Sequence, residues 1–88
     1  MTTERKLRDK ILRLLKSEKW FIIPVSDKYV SGTPDLYILK QGRSIWIEIK
    51  KPAGVVSKIQ QYTMAQIILN EGEAYVVRSL DEVKEIIC

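Results

Sequence analysis

The chain contains no histidine and a single cysteine, Cys88. Those two shortages remove much of the usual catalytic repertoire. A zinc centre built on imidazole and thiolate lacks ligands, and neither a histidine-based nuclease nor a Ser-His-Asp hydrolase can be assembled. One thiol closes no intramolecular disulfide, which fits a reducing cytoplasm. No apolar run approaches the roughly 20 residues that a membrane span needs. The N-terminus is charged, without the apolar segment of a secretory signal. No repeat, linker or low-complexity stretch is visible. Any catalysis therefore rests on carboxylates and lysines.

What is present suits one small domain over residues 1–88, with a modest core. The 88 residues are 45% hydrophobic and 30% charged, an ordinary globular balance. A net charge of +4 favours polyanionic partners such as nucleic acid.

Periodicity gives the elements. Residues 3 to about 17 predict a helix, with Leu7, Ile11, Leu14 and Leu15 on one stripe. Its Arg5, Lys6, Arg8, Lys10, Arg13 and Lys16 are either a solvated exterior or phosphate contacts. Residues 20–25 (WFIIPV) predict a strand that lies at a sheet edge or ends at Pro24, because Pro24 cannot donate to a ladder. Residues 26–33 read as a polar surface loop, whose Lys28 and Tyr29 are candidates to touch nucleic acid. Pro52 and Gly54 stop the chain after the central hairpin. A second helix starts near Ser57, carries Ile59, Tyr62, Ala65, Ile68 and Leu69, and stops at Gly72. Ser57 and Gln60 have the spacing of a capping box. A short apolar run, Ala74 to Val77, predicts a buried strand. Ser79 and Glu82, spaced as a second box, open a terminal helix with Val83, Ile86 and Ile87.

The stretch from Gly32 to Lys51 carries the chemistry. Residues 36–39 and 45–49 are rich in β-branched and aromatic residues around a Lys-Gln-Gly-Arg turn, so they predict a hairpin. With a loop of two or four residues centred between Gln41 and Gly42, Leu36 faces Ile47 and Tyr37 faces Trp46. The same register sets Asp35 against Glu48, where like charges destabilise a sheet. A shared divalent cation turns that defect into a site, since carboxylate oxygens suit Mg²⁺. Lys50 projects from the same face as Glu48. A three-residue loop would spoil the alignment.

These residues resemble a known pattern. Pro34-Asp35 followed by Glu48-Ile49-Lys50 is similar to the motif of the PD-(D/E)xK nucleases. The longer string, Gly32-Thr33-Pro34-Asp35, the Glu-x-Lys strand, Lys51-Pro52 and Ser57-x-x-Gln60, resembles the VRR-NUC family over residues 4 to 83. Members of that family are small nucleases, found alone in phages or fused to larger repair proteins. The resemblance implies an α/β, restriction-endonuclease-like αβββαβ core, a mixed sheet flanked by helices. It implies a Mg²⁺- or Mn²⁺-dependent nuclease cutting branched DNA such as four-way junctions. The expected setting is a homodimer in the cytoplasm, of a bacterial host if phage-encoded, without a membrane or a small-molecule cofactor.

The resemblance also assigns roles. Asp35 and Glu48 would hold the cation, with the Ile49 carbonyl and a helix-borne Glu4 as further ligands. Glu4 reads equally as an acid favoured by the helix dipole. Lys50 would orient the nucleophile, offset negative charge on the phosphate, or take a proton from the water. Gln60 either closes the cap or reaches the active centre. Lys51, Lys58 and Lys28 are the nucleic-acid candidates, Lys58 because a cation at a helix start is better explained by a nearby phosphate. The competing reading is a non-catalytic basic module that binds nucleic acid.

Overall fold

The computed structural model describes residues 3–26 and 29–88, and the elements run α1 (Glu4–Ser17), β1 (Phe21–Pro24), β2 (Leu36–Lys40), β3 (Arg43–Ile49), α2 (Lys58–Leu69), β4 (Glu73–Val77) and α3 (Leu80–Ile87). The strands form one mixed sheet in the order β1-β2-β3-β4. β1, β2 and β3 are antiparallel neighbours, and β4 runs parallel to β3 after the α2 crossover. This is the restriction-endonuclease-like arrangement expected of the sequence. β1 both lies at one edge and ends at Pro24, and β4 lies at the other edge.

The hairpin register is the one the alternation demanded. Leu36 pairs with Ile47, Tyr37 with Trp46, Ile38 with Ile45, and Lys40 with Arg43. Only Gln41 and Gly42 remain in the loop, and both have positive φ, 49° and 85°. That pair of left-handed residues matches the right-handed twist of the strands, the reason two-residue hairpins prefer such turns.

Alternation along the strands then divides the sheet into two unlike faces. Leu36, Ile38, Ile45, Ile47, Ile49 and Val77 point one way and are buried. Leu7, Ile11 and Leu15 of α1 and Val83 of α3 close over them as a single core. On the opposite face Tyr37 stacks on Trp46, with ring centroids 4.3 Å apart. That face receives α2, whose one buried residue is Met64.

The helix ends follow the sequence with two differences. Thr3 caps α1 and Ser57 caps α2, the latter with the full reciprocal box. Ser79 caps α3 by accepting from the Glu82 amide, but the Glu82 carboxylate reaches back to the Arg78 amide instead of the Ser79 amide. At the far end of α2 the left-handed residue is Glu71, with φ 66°, rather than Gly72. At the end of the sheet away from Asp35, Arg43 makes a two-pronged bond to Glu73, which also accepts from the Tyr75 hydroxyl. The Arg43 guanidinium holds the Glu73 carboxyl well below the usual carboxylate range, at about 2.

Candidate functional site

Asp35 stands one residue before β2, where the ladder ends. Continuing the register one step past Leu36 and Ile47 sets it across from Glu48, but no ladder pair forms there. The Asp35 side chain fills the gap instead. Its Oδ2 accepts the Ile49 amide at 2.9 Å, so the carboxylate is fixed at the fork between β2 and β3. The backbone holds the other side, since the Val25 amide donates to the Asp35 carbonyl at 2.7 Å.

Glu48 lies one step past the last pair with β2 but is still paired with Val76 of β4, and its side chain is only 3% exposed. A carboxylate this deep requires compensation. Gln60 Nε2 donates to its Oε2 at 3.0 Å, and Lys50 Nζ lies 3.5 Å from the same oxygen. The Gln60 bond ties the first turn of α2 to the sheet. Because β-strand side chains alternate, Glu48 and Lys50 share the face that carries Trp46.

That first turn is positioned from both directions. Gln60 accepts the Ser57 amide through Oε1 while donating to Glu48 through Nε2. The cap and the site are therefore one arrangement, and the two roles read for Gln60 coexist. From the loop side, Gly32 has φ 81° and lies so close to α2 that a Cβ would stand 2.5 Å from the Ile59 carbonyl oxygen and 2.8 Å from the Thr63 hydroxyl. Thr63 in turn donates to the Ser31 carbonyl at 2.9 Å. The glycine of the Gly-Thr-Pro-Asp string is thus where the loop leading into Asp35 docks on the helix that carries Gln60.

The turn after Lys50 is gathered by Arg78, which the sequence reading did not single out. Its Nη1 donates to the carbonyls of Lys51 at 3.1 Å and Gly54 at 2.6 Å. A second residue missed as a specific site member is Arg8 of α1. Its Nη2 lies 3.5 Å from Asp35 Oδ1. One of six cations on a basic helix, it carries no local signal that separates it from its neighbours.

The remaining expectations fall around this cluster. Lys51 and Lys58 are exposed, Lys58 as the first residue of α2. Glu4 opens α1 but does not complete a metal-holding group: no set of three acidic, histidine or cysteine side chains suited to a metal occurs among the described residues. Its position in the first helical turn is the one that the dipole favours. Lys28 lies outside the described residues.

The donor set fits a hard divalent cation. Asp35 and Glu48 supply carboxylate oxygens, and the Ile49 carbonyl lies in the same strand segment. The chain has no imidazole, and its one thiol, the exposed Cys88 at the end of α3, is not part of this cluster to favour a softer ion. No helix among the described residues is long and apolar enough to cross a membrane.

No protein-family profile and no curated protein matches the chain. Solved structures do. One, described as a VRR_NUC domain, superposes with a TM-score of 0.85 at 20% identity, covering 99% of this chain and 96% of its own. Another, a VRR_NUC domain protein, gives a TM-score of 0.82 at 21% identity, over 99% of this chain and 86% of its own. Over nearly its whole length, the chain has the fold of these VRR_NUC domains.

Proposed function

We propose that the chain is a divalent-metal-dependent DNA endonuclease, selective for branched DNA such as a four-way junction and acting as a homodimer. The observation that carries the reading is the convergence at one fork of Asp35, Glu48, Lys50 and Gln60. A buried carboxylate paired with a neutral amide and a lysine, beside a second carboxylate held by the backbone, has no packing purpose. Replacing it with apolar side chains would serve the sheet better.

Asp35 and Glu48 would hold Mg²⁺ or Mn²⁺, with the Ile49 carbonyl as a further ligand. Such an ion supplies a Lewis acid for the phosphoryl oxygen and a more acidic water. The chain's own groups do the rest. Gln60 fixes the orientation of the Glu48 carboxylate through its Oε2. Lys50, largely shielded from solvent, presents an ammonium group that can orient the attacking water and offset charge building on the phosphate. Water adds to phosphorus and the P–O bond to the leaving oxygen breaks, giving a phosphate monoester and a hydroxyl. Exposed Lys51 and Lys58 border the site and suit the flanking phosphates; Lys28 belongs to the same proposed set.

The dimer is supported by α2. Ile59, Tyr62, Ile68 and Leu69 are exposed along it, and Val55 just before it is 82% exposed. A helix apolar on its outer side as well as its inner side is ordinarily covered. An open groove lined by Val56, Met64, Ala65 and Ala74 continues that surface. A second copy brings a second site, which symmetric cutting of two strands requires.

Incubating the protein with duplex, flap and four-way junction DNA, in Mn²⁺ or in EDTA, tests the reading. Wild type should cut the junction only with the metal. Glu48→Gln should lose cutting while still binding junction DNA. Metal-independent binding without product from any substrate would identify a non-catalytic module instead.

A further inference from the structure

Arg8 projects from α1 one position after Leu7, a member of the buried stripe, so its side chain leaves the core and skirts the end of the sheet. It ends 3.5 Å from Asp35 Oδ1, with the Arg8 side chain 37% exposed and that of Asp35 15% exposed. The other oxygen of Asp35 is already committed to the Ile49 amide. A separation of 3.5 Å exceeds the roughly 2.7–3.2 Å of an N–H···O hydrogen bond. The guanidinium therefore offsets the charge of Asp35 without closing a short bond on it. Its planar fork of donors is the group best shaped for two oxygens of one phosphate.

Lys50 mirrors this arrangement, 3.5 Å from Glu48 Oε2. At each acid of the fork, then, a cation stands at the same distance. A divalent ion entering between the acids would meet these resident cations and add to the positive charge around them. An incoming phosphodiester relieves that excess.

Resting on the nuclease reading above, we propose that Arg8 changes partners. It holds Asp35 while the fork is without metal, and moves to a non-bridging oxygen of the scissile phosphate when a divalent cation takes Asp35. Arg8 is then a substrate-binding residue that couples metal binding to DNA binding. Linkage makes the coupling mutual: DNA that removes Arg8 from Asp35 strengthens the metal site to the degree that the metal strengthens DNA binding.

Calorimetric titration of the DNA-free protein with Mn²⁺, together with fluorescence anisotropy of a labelled four-way junction in Ca²⁺, tests the proposal. Losing a competing cation, Arg8→Gln should bind Mn²⁺ about tenfold more tightly than wild type, and the junction about tenfold more weakly, within the usual range of site coupling. Arg13→Gln, an exposed position on the same helix, removes the same charge and should leave Mn²⁺ affinity unchanged. Arg8→Lys keeps the charge but not the fork. It should retain wild-type Mn²⁺ affinity with weakened junction binding, and it carries the test alone if the glutamine variant does not fold. Wild type that binds Mn²⁺, beside an Arg8→Gln protein with unchanged or weaker Mn²⁺ affinity or with unchanged junction binding, overturns the role of Arg8 and leaves the nuclease reading standing. Wild type that binds no Mn²⁺ overturns both.

Discussion

The Oε1 atom of Gln60 accepts the Ser57 amide at 3.0 Å and its Nε2 atom donates to Glu48 Oε2, also at 3.0 Å. A capping box is satisfied by glutamate as readily as by glutamine, because the cap needs only an acceptor. The bond to Glu48 needs a donor. Glutamine alone of the two meets both requirements, so substitutions can separate them. Gln60→Glu should keep the helix cap but, by placing a third negative charge against the buried Glu48, should cost stability and lower junction cleavage. Gln60→Ala loses both bonds and should also cost about 1 kcal/mol, the ordinary worth of a helix cap. Chemical denaturation beside a cleavage assay reads the two effects. Equal activity in Gln60→Glu and wild type would reduce Gln60 to a cap. From the sequence, Ser57-x-x-Gln60 showed the cap and the family string implied the site. That one side chain serves both could not be read there, because it depends on how α2 lies across the sheet.

Elements meet at Gly32, where the loop before Asp35 crosses α2. The resemblance marked this glycine as part of a string, but its reason is tertiary: the backbone turns left-handed at φ 81° against the Ile59 carbonyl. Nothing within the loop's own sequence reveals that approach. The hairpin is the opposite case. Its register was legible on the condition of a two- or four-residue loop, because alternation fixes which residues share a face and that loop sets Tyr37 against Trp46. Arg78 again belongs to the tertiary kind, gathering carbonyls from a turn more than twenty residues earlier. Gly32→Ala should therefore destabilise the protein by about 2 kcal/mol or more. Left-handed backbone alone costs an alanine roughly 1–2 kcal/mol, and the contact with α2 adds to it. Alanine at Gly42, where a Cβ meets nothing within 4 Å, bears only the backbone part. Comparing the two variants by urea denaturation isolates the helix contact. Equal losses would mean that the loop and α2 do not bear on each other as described.

At the scale of the whole molecule, stability and chemistry occupy opposite faces of one sheet. The main core cluster lies on the side of α1 and α3, with Ile38, Ile45 and Ile47 fully buried. The other side has the acidic fork, the Tyr37–Trp46 pair and a helix that buries only Met64. Sequence patterning showed α2 as a helix but placed its apolar residues without saying which way they face. In the fold, Tyr62 and Leu69 point outward, 61% and 75% exposed. Neither supports the monomer's core, so a charge at either position should leave folding intact. If a second copy covers this surface, the same charge should abolish association, because an unpaired carboxylate cannot be buried at an apolar interface without compensation. Sedimentation velocity over a range of protein concentrations reads this directly. Wild type should sediment as a dimer and Leu69→Glu as a monomer with an unchanged thermal midpoint. The variant should still nick a junction, since each fork is complete within one chain, but should lose paired cuts on opposing strands. Wild type that remains monomeric at all concentrations, with and without junction DNA, would remove the dimer and leave the single fork to act alone.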